Sequence, residues 1–434
     1  MAGKFNKTVF SNGVRVVSEH HQQSHSIALG LWVLTGTRDE PEHCEGITHF
    51  LEHLVFKGTK TRSAYEIVRS LEELGGEVNA FTTREYTCFH ATVLSQDWEI
   101  ALDVLADLVS QMKVNRKDFE VERSVVLQEI DMSEDEHEDL AYDVFLRQFL
   151  GSHPLGRPIL GTAQSLASLR LPMVKEYYRR HYTGRRLILS AAGNLQADEL
   201  VKRAEKLLGR TKNYPRSRQE KRPRPRPFMA AVDKNAEQLH LLMGFPATSF
   251  KDKRRFEAFL ANNLLGGGMT SRLYQAVREK KGLTYSVYSS LHSFTDFGML
   301  NILASAQPQK MPDVVKSIFS VIDKVKRRGL SRSELKLFQR QLEGNLRLGA
   351  EDMESRMNSL AVNEMIFQEY RPVERVIEEI HRVTPHSLKN FLEEYLDFQQ
   401  AGILFLGSQA EQALNWFSGH PTSKPFRQAR KAVL

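Results

Sequence analysis

Two histidines and a glutamate fall within five consecutive residues, His49-Phe50-Leu51-Glu52-His53. On a helix, side chains at i and i+4 lie one turn apart and i+3 lies beside them, so both imidazoles and the carboxylate share one face. Two neutral ring nitrogens so placed suit a divalent zinc ion, and a neighbouring carboxylate can carry a proton. The order is H-x-x-E-H, the inverse of the common metalloprotease string His-Glu-x-x-His. A helix bearing two surface histidines and a surface glutamate would spell the same pentapeptide, so a metal reading needs a third ligand.

The segment after Asn115 can supply one. Asn115-Arg116-Lys117-Asp118 has the form of a helix start, an Asn cap with an acid three residues on, and Phe119, Val125, Val126 and Ile130 continue at helical spacing. Glu122 and Glu129 are seven residues apart and project from one face of that helix. Carboxylates beside Val125 and Val126 are costly to bury unpaired. They are either ligand candidates or a solvated acidic edge that runs on into Ser133 to Asp139, and spacing leaves both open.

With these motifs the chain resembles the inverted zincins, the family of pitrilysin, insulin-degrading enzyme and the mitochondrial processing peptidases. In that family the third zinc ligand is a Glu on a later helix, well beyond the second His, and the matching position here is Glu129. A Glu two helical turns earlier supports the ligands from outside, which here is Glu122. Gly76-Glu77-Val78-Asn79-Ala80-Phe81-Thr82 resembles the edge strand that pairs with substrate backbone. Arg278 and Tyr285, within Ser271-Arg272-Leu273-Tyr274 through Gly282-Leu283-Thr284-Tyr285, match the Arg/Tyr pair lent by the family's second half. His153-Pro154-Leu155-Gly156 is similar to the family as well. Length and wording lie nearer the processing peptidases and their bacterial relatives than the long pitrilysins.

The resemblance implies a zinc metalloendopeptidase with one Zn2+ per chain. His49, His53 and Glu129 would hold the metal, Glu52 would act as general base, and Glu122 would orient the ligands. Asn79, Ala80 and Phe81 would bind substrate backbone by strand addition. Arg278 would anchor a substrate carbonyl and Tyr285 would donate to the oxyanion. Related chains also serve as non-catalytic partner or scaffold subunits, and such subunits lack the ligands kept here.

Composition narrows the alternatives. The chain has 434 residues, a formal net charge of +7 and two cysteines, enough length for two domains with cores of their own. Segment 212–226 holds seven basic residues and one acid, +6 of that charge, in an alternating Arg-Pro pattern towards Pro227 that reads as an extended spacer. With no interleaved aromatics beyond Tyr214 and Phe228 it argues against nucleic-acid binding. No run reaches the length of a membrane span, and residues 1–20 alternate as a strand with neither a secretory nor a transit pattern. Cys44 and Cys88 have no paired spacing, which fits a reducing cytoplasm without disulfides.

The two halves repeat at a nearly constant offset. Val174–Tyr178 leading to Ala191–Asn194 is echoed by Leu388–Leu392 leading to Phe405–Ser408, and Asn115–Phe119 is echoed by Ser331–Leu335. In the same alignment His49–His53 falls on Ala258–Asn262, which lacks every ligand. Gly266-Gly267-Gly268 has no following Gly-Lys-Ser/Thr and reads as a helix end with permissive backbone. The expected fold is α+β, two homologous halves, each a mostly antiparallel sheet with packed helices, facing each other around a substrate cavity. The expected domains are 1–214 with zinc, 215–227 as a basic Pro-rich linker, and 228–434 without ligands, supplying substrate contacts. The expected hydrolase cleaves short or unstructured peptides, alone or as the catalytic member of a heteromeric complex. Its expected partners are a peptide substrate and a second chain, in a homodimer or a heterodimer with a related subunit, with neither nucleic acid nor membrane.

Overall fold

The computed structural model describes residues 3–213, 222–426 and 429–433, so Tyr214 and most of the basic linker, 215–221, lie outside the described residues. Described strands form two six-stranded sheets. The first contains β1 (Lys4–Val9), β2 (Arg15–His20), β3 (Ser26–Val33), β4 (Glu77–Thr82), β5 (Thr87–Leu94) and β6 (Leu187–Gly193), ordered β1-β2-β6-β3-β5-β4. Every pairing in it is antiparallel except β2 with β6. The second contains β7 (Phe228–Asp233), β8 (Leu239–Ala247), β9 (Ser286–Ser293), β10 (Gly298–Ala306), β11 (Gly402–Gly407) and β12 (Arg430–Val433), ordered β12-β7-β11-β8-β10-β9.

Sequence pattern decides which strands are central. β6 (LILSAAG, apolar but for Ser190) and β11 (GILFLG) are buried at every position, as strands covered on both faces must be. β4 alternates in exposure over Glu77 to Ala80 and closes one edge of its sheet. The repeats noted in the sequence fall on equivalent elements. Helix Leu171–His181 precedes β6 and helix Pro385–Tyr395 precedes β11, while helices Arg116–Asp135 and Arg332–Gly349 begin at matching Asn and Ser residues.

The compact units do not follow the linear division expected at 215–227. The first comprises Met1–Met132, Arg157–Glu220 and Arg347–Val373; the second comprises Ser133–Gly156, Lys221–Leu346 and Glu374–Leu434. Each half of the chain has given one helix to the other unit. In the first unit, helix Met353–Ile366 covers the sheet face opposite the main core, where Met357, Leu360 and Ala361 pack with Val17, Ala28, Trp32 and Ile188. In the second, helix His137–Leu150 does the same, Phe145, Leu146 and Phe149 packing with Phe228, Leu242, Met299 and Leu404. The physical reason is that a central apolar strand needs both faces covered, and chain order does not restrict which segment supplies the cover.

Both guest helices dock over a glycine. A Cβ at Gly30 of β3 would collide with Met357 Sδ, and one at Gly244 of β8 would stand 2.6 Å from Phe145 Cζ. Arg356 also pairs with Glu19, and Glu364 pairs with Lys7 at 2.6 Å and Arg15 at 3.4 Å, all within the first unit. Gly266 ends helix Arg255–Gly266 with an ordinary backbone; its glycine is demanded by approach, since a Cβ would collide with the backbone nitrogen of Ser289. Among the described residues no helix is long and apolar enough to cross a membrane.

Candidate metal centre

The helix Ile47–Val55 is set by its apolar face. Ile47, Phe50, Leu51, Leu54 and Val55 are essentially inaccessible in the main core of the first unit, which leaves positions 49, 52 and 53 on the opposite face. Its N-cap, Gly46, has no side chain to cap with, and the backbone amides of Gly46 and Thr48 instead donate to the buried carboxylate of Glu40, each at 2.9 Å. Burial pushes Glu40 up to about 8, against those two donors, which favour its charge.

The second contributing helix, Arg116–Asp135, is capped as its sequence indicates. Asp118 N donates to Asn115 Oδ1 at 2.9 Å. Phe119, Val126 and Ile130 are its core stripe, and the rings of Phe119 and Phe50, 5.1 Å apart, bring the two helices together. Glu122 and Glu129 therefore both arrive beside the histidines.

His49, His53 and Glu129 each offer a ligand atom, and these atoms lie within 4.8 Å of one another; among the described residues this is the one such group. Glu129 Oε2 is 3.4 Å from His53 Nε2 and 3.7 Å from His49 Nε2. Donors about 2.0–2.2 Å from a tetrahedral zinc ion stand about 3.4 Å apart, so the donor set fits zinc in both chemistry and spacing. Burial, followed by the neighbouring His53, lowers His49 to about 3, which keeps its ring in the neutral form that a metal binds. His49 Nδ1 is buried and has no hydrogen-bond partner among the described residues, whereas His53 Nδ1 lies 3.1 Å from Glu122 Oε2. Glu122 is thus buried and paired; Glu129 is the more exposed of the two.

Glu52 lies among these groups at 9% exposure. Burial is the main force raising its carboxyl, helped by Glu129, while the Thr82 hydroxyl and His53 act the other way. Thr82 Oγ1 donates to Glu52 Oε2 at 2.5 Å. Thr82 closes β4, whose alternation puts Val78, Ala80 and Thr82 towards the helix face and Phe81 towards Trp32 on the other. Asn79 is exposed, and its Oδ1 accepts the Ala80 amide at 2.8 Å.

Arg278 and Tyr285 stand together in the second unit. The guanidinium lies 4.6 Å from the Tyr285 ring and 4.8 Å from the ring of Tyr274, with which it shares a π-helical segment, Tyr274–Glu279. Tyr285 is 78% exposed, so its hydroxyl is open to a ligand. His153 precedes a short turn, Pro154–Gly156, in the same unit, and Leu155 is buried within it. Sequence reading gave no role of their own to Lys57, Thr82 or Tyr274, the last two being read only within longer motifs. Spacing carries a trace of two of them: Lys57 is four residues after His53, and Tyr274 is four before Arg278.

Comparison with known proteins settles the family. Residues 15–163 match Insulinase (Peptidase family M16), and residues 168–342 match the Peptidase M16 inactive domain. The chain belongs to peptidase family M16. It is 38% identical over 408 residues to an uncharacterised zinc protease of Mycobacterium bovis, covering 92% of each chain. An uncharacterised zinc protease of Bacillus subtilis is 37% identical over 389 residues, with 88% of this chain and 95% of that one covered. The fold is shared with the crystal structure of a protease from Helicobacter pylori, with a TM-score of 0.88 at 20% identity over 94% of this chain and all of that one. A structure described as a peptidase M16 inactive domain, from Pseudomonas fluorescens, gives a TM-score of 0.87 at 18% identity, covering 93% of this chain and 98% of that one.

Proposed function

We propose that this M16 family member is a zinc metalloendopeptidase that cleaves short or unstructured peptides. The observation that carries the reading is the convergence of ligand atoms of His49, His53 and Glu129 within 4.8 Å of one another, Glu129 Oε2 standing 3.4 and 3.7 Å from the two Nε2 atoms, with the buried carboxylate of Glu52 beside them. The zinc protease names of its relatives support it.

The three donors would hold one zinc ion per chain. When bound, zinc supplies Lewis acidity that acidifies water and polarises a carbonyl. Glu52 Oε2 is engaged by Thr82, so Oε1 takes a proton from the attacking water and later returns one to the leaving amine. β4 is an edge strand, and an extended peptide added there would be aligned through its backbone beside Asn79, Ala80 and Phe81. By the family resemblance, Arg278 would anchor a substrate carbonyl and the Tyr285 hydroxyl would donate to the developing oxyanion. Strand addition selects against folded proteins, whose backbone groups are already paired. The buried free thiols Cys44 and Cys88 suit a reducing compartment such as the cytoplasm.

The test is metal analysis of the purified protein joined to steady-state cleavage of a fluorogenic peptide, with a stable folded protein as counter-substrate. About one zinc per chain and selective peptide cleavage is the expected result. A metal-free, inactive protein would defeat the reading, and rapid digestion of the folded protein would defeat the substrate class.

A further inference from the structure

Lys57 lies just beyond the ligand helix, and its Nζ stands 2.5 Å from Glu122 Oε1. The other oxygen of that carboxylate, Oε2, is the one 3.1 Å from His53 Nδ1. Among the described residues Lys57 is the only lysine or arginine within ion-pair range of Glu122, whose side chain is 8% exposed. A carboxylate so buried is costly unless its charge and lone pairs are met, and one imidazole meets only half of it.

From this chain of contacts we infer that Lys57 is a positioning residue of the metal centre, acting on zinc through Glu122 and His53. Holding Oε1 leaves the carboxylate one favourable orientation, with Oε2 towards Nδ1. Nδ1 then carries the hydrogen, and the lone pair of Nε2 points towards His49 and Glu129. An exposed ion pair would contribute little. This one differs because its acid is buried against a ligand. Its four-residue separation from His53 lets one short stretch of chain present both the ligand and the cation to the same carboxylate.

The inference rests on the metal-centre reading above, and its test separates the two. The zinc dissociation constant of the full chain is measured by competition against a chromogenic chelator, with thermal unfolding of the metal-free proteins to check folding. Lys57→Met should weaken zinc binding by about tenfold, at the low end for residues that orient metal ligands. Lys57→Arg should restore most of the loss. In a Glu122→Gln background the same Lys57→Met change should have no further effect, because the group through which it acts has lost its charge. Lys57→Gln serves in the same scheme should Lys57→Met fold poorly. Zinc binding by Lys57→Met as tight as in the parent would overturn the inference alone, as would an equal loss in the Glu122→Gln background. A parent chain that binds no zinc would overturn the metal-centre reading and this inference with it.

Discussion

Thr82 Oγ1 donates a 2.5 Å hydrogen bond to Glu52 Oε2, so the last residue of an edge strand and the carboxylate of the H-x-x-E-H motif are joined directly. Thr82→Val should lower kcat by about tenfold or more, a hydrogen bond to a charged group being worth about 1.5–3 kcal/mol. Zinc content should be unchanged and Thr82→Ser should recover most of the rate. Because the hydroxyl lowers a carboxyl that burial raises, its loss should also move the acid limb of kcat/KM to higher pH, where Glu52 becomes ionised. Parent-like turnover in Thr82→Val would remove Thr82 from the mechanism.

Glu52→Gln separates the proton carrier from the metal. It should retain zinc by elemental analysis while peptide cleavage falls to background, since the amide cannot accept the water proton. Near-normal turnover would exclude Glu52 as the base.

Glu129→Ala and His49→Ala should lose zinc and activity together. The informative variant is Glu129→Ala, because its carboxylate is the most exposed of the three donors. Full zinc occupancy there would disqualify it as a ligand.

Tyr285→Phe should depress kcat more than it raises KM, because the hydroxyl acts on charge that develops in the transition state. Steady-state kinetics on one fluorogenic peptide decides this; an effect confined to KM would make Tyr285 a binding residue only.

His181 offers a pH dependence away from the metal. Burial, reinforced by Arg186 and Arg180, lowers it to about 3, and its ring stacks on Tyr177 at 4.0 Å. The folded chain thus keeps His181 neutral while the unfolded chain protonates it near pH 6.5. The stability it contributes is present above that pH and is lost as pH falls from about 6.5 towards 3, by up to about 1.4 kcal/mol per pH unit. His181→Phe should flatten the acid side of the profile of thermal midpoint against pH. An unchanged acid slope would show that His181 is not responsible.

The helical framework of the candidate site was legible because its signals are local, whereas the choice of Glu129 as ligand and the roles of Arg278 and Tyr285 came from the family resemblance. The face of Ile47–Val55, the Asn115 cap and the two-turn step from Glu122 to Glu129 are all fixed by helical period within one element. Lys57 and Thr82 escaped because their partners come from other elements: an ion pair between residues 57 and 122, or a hydrogen bond between 82 and 52, has no periodicity. The unit boundaries escaped for a similar reason. Nothing in helix His137–Leu150 or Met353–Ile366 states which sheet its apolar face will meet. The glycine triplet pointed to a helix end, while the reason for Gly266 is the backbone of a different element, β9, at Ser289.

The exchanged helices also set the order in which this chain can finish folding as it is made. The first sheet is complete in strands once Gly193 has emerged, yet the helix that covers its second face begins only at Met353. At about 5–20 residues per second the ribosome takes roughly ten to thirty seconds to supply it. Phe145 and Phe149 meet Phe228, Leu242 and Met299 sooner, and gain their last strand partner only with β11, which begins at Gly402. The second face of the first sheet therefore stays open on the nascent chain until Met353–Ile366 has been made.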